Sequence, residues 1–288
     1  MTATENAVQS ESWNGKSGLL WVANADERDR VLAPVGDVLL STAAPTVGDD
    51  ILDLGCGCGA TTLMAATRTG TAGSATGIDL SLPMLDLARE RATAAGAANV
   101  TFVHGDAQTY EFTTESVDLV IGRFGTMFFS DPEAAFANIR SALRPGGRLC
   151  LATWQPLGAN EWLIVPGAAL LQHTELPNDQ LEGPGMFAQS DPAIVTEVLG
   201  AAGFHEIRID AAEVTFPLGQ TLDEAISYLA DAGPGRALLE TIPEGAARDA
   251  ALADVRAALV DHHHPEGVQL HGGIWLINAI RPFHETQR

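Results

Sequence analysis

Basic residues are scarce in this sequence. Its 288 residues include 16 lysines and arginines against 37 aspartates and glutamates, for a formal net charge of −21, and Lys16 is the single lysine. A protein that binds DNA or RNA needs a positive patch that displaces counterions from the phosphates. Because the arginines are scattered along the chain, we expect no nucleic-acid partner.

Long apolar runs are also absent, although 46% of the residues are hydrophobic. No run approaches the roughly 20 apolar residues that a helix needs to cross a bilayer. The N-terminal residues 1–18 have neither the basic start nor the apolar centre of a signal peptide. We therefore expect a cytoplasmic protein that does not insert into a membrane.

Cysteine is limited to Cys56, Cys58 and Cys150, which are too few for a disulfide framework or a zinc site. The first two lie inside a glycine-rich turn, where a metal would obstruct a ligand. The adjacent histidines 262–264 point in different directions on one element and lack the companion carboxylate of a known metal motif. We expect no metal site.

The most informative stretch that is present is the glycine-rich turn at residues 50–59. An apolar, strand-like run ends there in Gly55, Gly57 and Gly59, and residues 60–66 can begin a helix. Glycine lets the backbone adopt positive φ and approach a ligand closely, beside a helix N-terminus. Taken alone, the turn fits either a ligand site or an ordinary strand-to-helix connection.

Three further strand-like segments, 73–80, 100–107 and 117–123, end in or near the charged residues Asp79, Asp106 and Arg123. Alternating strands and helices indicate an α/β fold with a parallel sheet and helices on both faces, since each crossover is right-handed. Ligands bind such sheets at the carboxyl ends of the strands, where an acidic residue can accept hydrogen bonds from a ribose. We expect four strand ends to converge on one site.

The ordered motifs closely resemble those of the class I S-adenosylmethionine (SAM) methyltransferases, in particular the quinone and small-molecule branch. They are DLGCGCG at 53–59, GIDLS at 77–81, GDA at 105–107, DLVIGRF at 118–124 and RPGG at 144–147. The resemblance covers about residues 50 to 154. It implies a Rossmann-like, seven-stranded and mostly parallel sheet with an antiparallel last strand. It also implies SAM as cofactor and S-adenosylhomocysteine (SAH) as product.

The resemblance also assigns roles to individual residues. Asp53 and the glycine turn would hold the methionyl part of SAM, Asp79 the ribose, and Asp106 the adenine amino group. Arg123 would lie at the sulfonium end. The residues that the resemblance assigns to the cofactor are Asp53, Gly55, Cys56, Gly57, Gly59, Asp79, Leu80, Met84, Gly105, Asp106, Ala107 and Arg123.

Apolar residues near the predicted site are candidates for binding the methyl acceptor, although such side chains usually belong to a core. The candidates are Trp13, Trp21, Met127, Phe128 and Trp162. Methyl transfer from a sulfonium depends mainly on holding the reactants in line, and a base is needed only when the acceptor must lose a proton. His173 is the weak candidate for such a base.

The chain is predicted to form one structural domain with a cap. The predicted segments are an N-terminal helical flap at 1–49, the SAM-binding core at 50–154, a cap insertion at 155–200, core strand 6 at 201–217, a helical cap insertion at 218–267 and core strand 7 at 268–288. Insertions that shape an acceptor pocket belong at the carboxyl ends of the first strands.

The leading hypothesis is methylation of a small, apolar or aromatic acceptor, with oxygen favoured and carbon or nitrogen open. One alternative is a SAM-binding cyclase or rearrangement enzyme without methyl transfer, since fold does not fix function. Another is an NAD(P)-dependent oxidoreductase, because GCGCGA at 55–60 also fits the looser dinucleotide fingerprint. A single lysine beside fifteen arginines indicates a GC-rich bacterial genome and favours secondary metabolism. The sequence leaves the oligomeric state open, a homo-oligomer included.

Overall fold

A computed structural model describes residues 6–175, 184–231 and 233–283 of the chain. Its helices are α1 Ala7–Asn14, α2 Lys16–Ala23, α3 Ala25–Ala43, α4 Ala60–Thr69, α5 Leu82–Ala94, α6 Pro132–Ala142, α7 Glu161–Leu170, α8 Pro192–Ala201, α9 Leu222–Asp231, α10 Gly233–Thr241 and α11 Ala246–Leu259. Its strands are β1 Asp50–Leu54, β2 Ser74–Asp79, β3 Val100–His104, β4 Val117–Arg123, β5 Leu143–Trp154, β6 His205–Gly219, β7 His263–His264 and β8 Gly267–Ile280. Within these ranges, no helix is long and apolar enough to span a membrane.

The central sheet has the strand order β3-β2-β1-β4-β5-β8-β6. Strands β1 to β5 are parallel, whereas β8 runs antiparallel to both β5 and β6. This topology confirms the predicted fold class, including the antiparallel last strand. The two-residue strand β7, which pairs with β8, is an addition that the sequence did not predict.

Strand β1 lies at the point where the direction of strand order reverses. The chain moves from β1 to β2 and β3 on one side and then returns to β4 on the other. The helices that follow β1 and β4 therefore leave on different sides, which opens a crevice at the carboxyl ends of these strands. The glycine turn follows β1 directly and so lies at this crevice.

Hydrophobic cores cover both faces of the sheet, as the alternation of side chains in β1 requires. Ile51 packs with α3 residues such as Leu39 in one cluster. Leu52 packs in the other, with Phe136 of α6 and Leu199 of α8. Each such side chain contributes roughly 1.5–3 kcal/mol when it is buried. The site-bearing strand ends are thus mounted on a sheet that is fixed from both sides.

Two helices begin at side-chain caps. The Ser81 hydroxyl accepts from Met84 N at 3.4 Å at the start of α5, and Asp131 accepts from Ala134 N at 3.0 Å at the start of α6. In both helices a proline occupies the first turn, where its missing N–H costs nothing. These caps place both helices directly after loops that face the crevice.

Helix α8 lies in a different layer from the one that its sequence position indicates. The predicted cap insertion at 155–200 includes most of it, but α8 packs against α6 and β6 through Val195 and Leu199. It therefore covers the sheet, and its residues are not part of a cap. Helix α7, by contrast, packs against α10 and α11, so helices of the two insertions form one unit.

Candidate cofactor and acceptor site

A cavity of about 320 Å³ lies at the carboxyl ends of β1, β2 and β4. Its size falls in the range of small-molecule sites, about 300–1,000 Å³. Of the predicted cofactor residues it is lined by Asp53, Gly55, Cys56, Gly57, Asp79, Leu80, Met84, Gly105, Asp106, Ala107 and Arg123. Of the predicted acceptor residues it is lined by Trp13, Trp21, Met127, Phe128 and Trp162. One cavity is therefore lined by all the predicted acceptor residues and by all the predicted cofactor residues except Gly59.

The glycine turn needs its glycines for two different reasons. Gly55 and Gly57 have φ of 63° and 55°, which L side chains rarely adopt. A Cβ on Gly55 would also lie 2.6 Å from Cα of Gly125 in the loop after β4. Gly59 does not line the cavity. Its φ of 84° and its approach to Phe102 instead fit it to the start of α4.

Asp53 at the end of β1 is almost fully buried and accepts a hydrogen bond of 2.6 Å from the Thr62 hydroxyl. Burial raises the pKa of Asp53 to about 7, while the Thr62 hydrogen bond and the nearby Arg123 charge oppose that rise. The carboxyl group therefore changes its charge close to neutral pH. A cationic ligand group beside it would favour the ionised form.

Asp79 at the end of β2 is held by two backbone donors. Gly57 N donates to one of its carboxylate oxygens and Ser81 N to the other, both at 2.8 Å. Burial raises the pKa of Asp79, and these hydrogen bonds act in the opposite direction. Each oxygen has a second lone-pair site that can accept a ligand hydroxyl.

Asp106 after β3 is fixed by Gln108 N at 2.9 Å and by the Asn6 amide at 2.8 Å. The Asn6 side-chain oxygen also accepts from Ser130 N at 3.0 Å, so this buried residue joins three segments at the cavity. Sequence analysis missed Asn6, because its only signal was a polar side chain in the polar N-terminal segment.

Arg123 at the end of β4 is buried and already has protein partners. Its Nη1 donates to Leu32 O at 3.1 Å, and its Nη2 lies 3.7 Å from the Asp29 carboxylate. Burial lowers the pKa of Arg123, whereas the charges of Asp29 and Asp53 raise it. Arg123 therefore brings positive charge to the methionyl end of the predicted site, close to Asp53.

The N-terminal helices α1 and α2 cover the cavity beside the loop after β2. The Asn14 amide donates to Leu80 O at 2.8 Å, and its oxygen accepts from Leu82 N at 2.9 Å. The Ser81 hydroxyl donates to Trp13 O at 2.6 Å. The Trp13 ring meets the rings of Trp21 and Phe128 edge to face at 5.9 and 5.6 Å. These contacts attach α1 and α2 to the predicted nucleoside side.

A second group of aromatic rings lines the cavity. Phe124 stacks on Trp154 at 4.0 Å between ring centroids, and Trp154 lies 5.1 Å from Trp162 of α7. Phe124 has a φ of 63°, which is rare for a bulky residue. Residues with such backbone conformations are found preferentially at functional sites. Met186 also lines the cavity.

His173, the candidate base, does not line the cavity. It follows α7, and its Nε2 lies 2.7 Å from Asp254 of α11. Among the described residues, no histidine lines the cavity. The polar lining residues that sequence analysis missed are Asn6, Arg28, Asp29, Thr61 and Tyr228.

Comparison with known proteins gives three findings. Residues 51–147 match the family described as "Methyltransferase domain". The aklanonic acid methyltransferase DauC of Streptomyces sp. (strain C5) is 36% identical over 120 residues, which is 42% of this chain and 54% of DauC. Nocamycin O-methyltransferase of Saccharothrix syringae is 33% identical over 188 residues, 61% of this chain and 66% of that protein. The alignments thus span between about half and two thirds of these relatives.

The [4+2]-cyclase SpnF is similar in structure, with a TM-score of 0.57 and 20% identity over 98% of this chain and 97% of SpnF. At that identity, the likeness concerns the fold alone.

Proposed function

Because the chain belongs to the class I SAM-dependent methyltransferases, we propose that it transfers a methyl group from SAM to a small, apolar or aromatic organic acceptor. One observation carries the proposal: the strand-end carboxylates Asp53, Asp79 and Asp106 line the same cavity as a group of aromatic side chains. The three carboxylates can accept hydrogen bonds from the nucleoside and amino-acid parts of SAM, and the aromatic side chains can contact an apolar methyl acceptor.

The hydrogen-bond acceptors that line the cavity match the chemistry of SAM. Asp79 and Asp106 each accept two hydrogen bonds from the protein and keep lone pairs for ribose hydroxyls and an adenine amino group. Met84 packs closely against Gly57. A Cβ on Gly57 would lie 2.9 Å from the terminal methyl carbon of Met84. SAM supplies a methyl group on a sulfonium, which needs no further activation.

The contribution of the protein is then to bind, orient and exclude water. The aromatic residues Phe128, Trp154 and Trp162 provide an apolar surface on which a flat acceptor can be held. Holding two reactants in line supplies much of the rate of a displacement. No histidine of the described residues lines the cavity, so the proposal assigns no dedicated base.

Oxygen is the favoured acceptor atom, and secondary metabolism in the bacterial cytoplasm is the favoured setting. The name of the Saccharothrix relative specifies an O-methyltransferase, and the names of both relatives specify small organic molecules. The arginine-rich, lysine-poor composition agrees with a bacterial source.

Calorimetry with SAM, SAH and NAD tests the cofactor assignment. We expect binding of SAM and SAH but not of NAD. Asp79→Asn should lower the affinity for SAH by at least about tenfold, since a charge-assisted hydrogen bond contributes about 1.5–3 kcal/mol. Asp86→Asn, an exposed carboxylate on α5, is the matched control and should bind as the wild type does. Tight NAD binding without a SAM signal would overturn the assignment.

Product mass separates methyl transfer from a SAM-assisted cyclisation. Incubation with an aromatic acceptor panel and methyl-labelled SAM should give a product heavier by one methylene equivalent, together with SAH. An isomerised product of unchanged mass with SAM recovered intact would instead identify a cyclase or rearrangement enzyme.

A further inference from the structure

Two buried polar side chains line the cavity outside the predicted cofactor set. Arg28 of α3 is 6% exposed and Tyr228 of α9 is 5% exposed. We call this pair the Arg28–Tyr228 corner. It joins an N-terminal helix to the second insertion, and neither residue lies in the segment 51–147 that matches the methyltransferase domain.

The Arg28 guanidinium is held in place but retains free donors. Its Nη2 donates to Asp231 O at 2.7 Å, and its Cζ lies 4.6 Å from the Trp21 ring centroid. Among the described residues no other nitrogen of this guanidinium has a hydrogen-bond partner, and Nε is buried. A buried donor without a partner is costly, so this arrangement is unfavourable unless a ligand completes it.

The charges of Asp231 and Glu27 favour the charged form of Arg28, but among the described residues no carboxylate forms an ion pair with it. Asp29 receives Arg91 Nη1 at 2.7 Å and lies 3.7 Å from Arg123 Nη2, so its charge is shared by two other arginines. The corner therefore keeps a positive charge inside a protein whose net charge is −21.

The Tyr228 hydroxyl is a second donor without a hydrogen-bond partner in the described part of the chain. Burial raises the pKa of Tyr228 to about 12, and the charge of Arg28 is the largest opposing influence. The phenol stays protonated at neutral pH, so it can donate a hydrogen bond but cannot serve as a base.

We propose that the Arg28–Tyr228 corner binds a carboxylate of the methyl acceptor. A planar guanidinium with a neighbouring hydroxyl matches the charge and the two oxygens of one carboxylate. This inference rests on the proposed function. The amino-acid end of SAM carries the same chemical group, but the location of both residues outside the domain segment favours the acceptor. The experiment separates these two sources.

The test compares Arg28→Met and Tyr228→Phe with the wild type in the full chain. The matched control is Arg248→Met. Arg248 also donates Nη2 to a backbone oxygen, that of Ile242 at 2.8 Å, and also has a buried Nε without a partner in the described residues, but it does not line the cavity. Calorimetry measures SAH and 5′-methylthioadenosine, which lacks the amino-acid part. It then measures 1-naphthoate and 1-naphthylmethanol on the SAH-loaded protein.

We expect the wild type loaded with SAH to bind 1-naphthoate more tightly than 1-naphthylmethanol. Arg28→Met should lower the affinity for 1-naphthoate by at least about tenfold, as expected for loss of a charge-assisted hydrogen bond. Tyr228→Phe should lower it by about fivefold. SAH, 5′-methylthioadenosine and 1-naphthylmethanol should keep their affinities, and Arg248→Met should change none of the four. Tyr228→Phe keeps the ring, so it remains informative even if Arg28→Met does not fold.

Two outcomes overturn the proposal. A loss of SAH affinity with 5′-methylthioadenosine unchanged would assign the corner to the cofactor carboxylate. Equal affinities of the wild type for the acid and the alcohol, with no effect of either substitution, would show that the corner recognises no carboxylate. In both cases SAH binding by the wild type leaves the proposed function intact, whereas a wild type that does not bind SAH refutes that function instead.

Discussion

The strand-end carboxylates differ in what holds them, and this sets how each responds to its surroundings. Asp79 is oriented by two backbone N–H groups, which are present in any sequence that forms the same turn. Asp53 depends on one side-chain donor, Thr62, and is more completely buried. Asp53 is therefore the carboxylate whose charge state is most sensitive to pH.

The raised pKa of Asp53 predicts a pH-dependent stability. The folded-state pKa is about 7, whereas an unfolded aspartate titrates near 3.9. Between about pH 4 and pH 7 the folded protein retains a proton that the unfolded chain has lost. The contribution of Asp53 to the free energy of unfolding is therefore largest below about pH 4. It decreases as the pH rises and is lost above about pH 7.

Asp53→Asn removes this titration while keeping an oxygen that can accept from Thr62. We expect the free energy of unfolding of the wild type, relative to Asp53→Asn, to be larger at pH 5 than at pH 7.5. Urea unfolding at the two pH values measures this difference. If the two proteins show the same change with pH, Asp53 does not titrate in this window.

The site residues that sequence analysis predicted are those with a local signal. Asp53, Asp79 and Asp106 each follow a short apolar strand, so their alignment at one edge results from parallel topology. Asn6 and Arg28 have no such signal, because their partners Asp106 and Asp231 are 100 and 203 residues away in the sequence. His173 was a weak candidate base because it lies in a predicted cap insertion. In the structure its partner is Asp254 of α11, 81 residues later in the sequence.

At the scale of elements, α1 and α2 lie in the segment 1–49 that the sequence predicts as an N-terminal helical flap. Helix α1 begins at Ala7. Helix α1 has no fully buried residue, so its position depends on the packing of the Trp13 ring against Trp21 and Phe128 and on polar contacts. The Asn14 side chain makes two of these with the loop after β2.

Asn14→Ala should loosen α1 and α2 without unfolding the sheet. Each of the two hydrogen bonds contributes about 0.5–1.5 kcal/mol, so their loss should lower the affinity for SAH about three- to tenfold. Calorimetry gives the affinity, and amide exchange should rise in residues 7–23. Asn99→Ala is the matched control, since its amide also bridges backbone oxygens, those of Ala66 and Gly70, away from the cavity.

The control should lower stability while leaving SAH affinity unchanged at temperatures where the protein is folded. Equal SAH affinity in Asn14→Ala and the wild type would show that α1 and α2 do not contribute to cofactor binding.

The layers of the helices were harder to predict than the helices themselves. The apolar spacing in α8 correctly indicates one buried face, but it does not say which surface that face meets. In the structure, Val195 and Leu199 meet the core beneath α6, which removes α8 from the predicted cap. A periodic pattern indicates that one face of a helix is buried. The tertiary packing determines which other elements that face contacts.

At the scale of the whole molecule, the N-terminal helices contact both β6 and the second insertion. Arg28 donates to Asp231 O at 2.7 Å and Arg30 to Pro217 O at 2.6 Å, while Lys16 pairs with Glu240 at 2.7 Å. The Lys16–Glu240 pair is exposed and contributes little by itself. The two arginine contacts are therefore the main polar links between segments that are far apart in sequence.

This link predicts that cofactor binding is felt beyond the domain segment. If SAH orders the glycine turn and the helices above it, the segments that those helices contact lose opening motions as well. Hydrogen exchange with and without SAH should therefore show protection in the glycine turn, around residues 13–21, and in residues 222–240. Peptides from α8, which packs on α6 and β6 and does not line the cavity, serve as the internal control and should not change.

Asp79→Asn at the same SAH concentration provides the second control, because its weaker binding should reduce protection in all three regions together. Protection that is confined to the glycine turn would show that α2, α9 and α10 do not close on the cofactor. The aromatic side of the cavity would then have to be closed by the acceptor itself, and exchange in residues 222–240 would fall only after an acceptor such as 1-naphthoate is added.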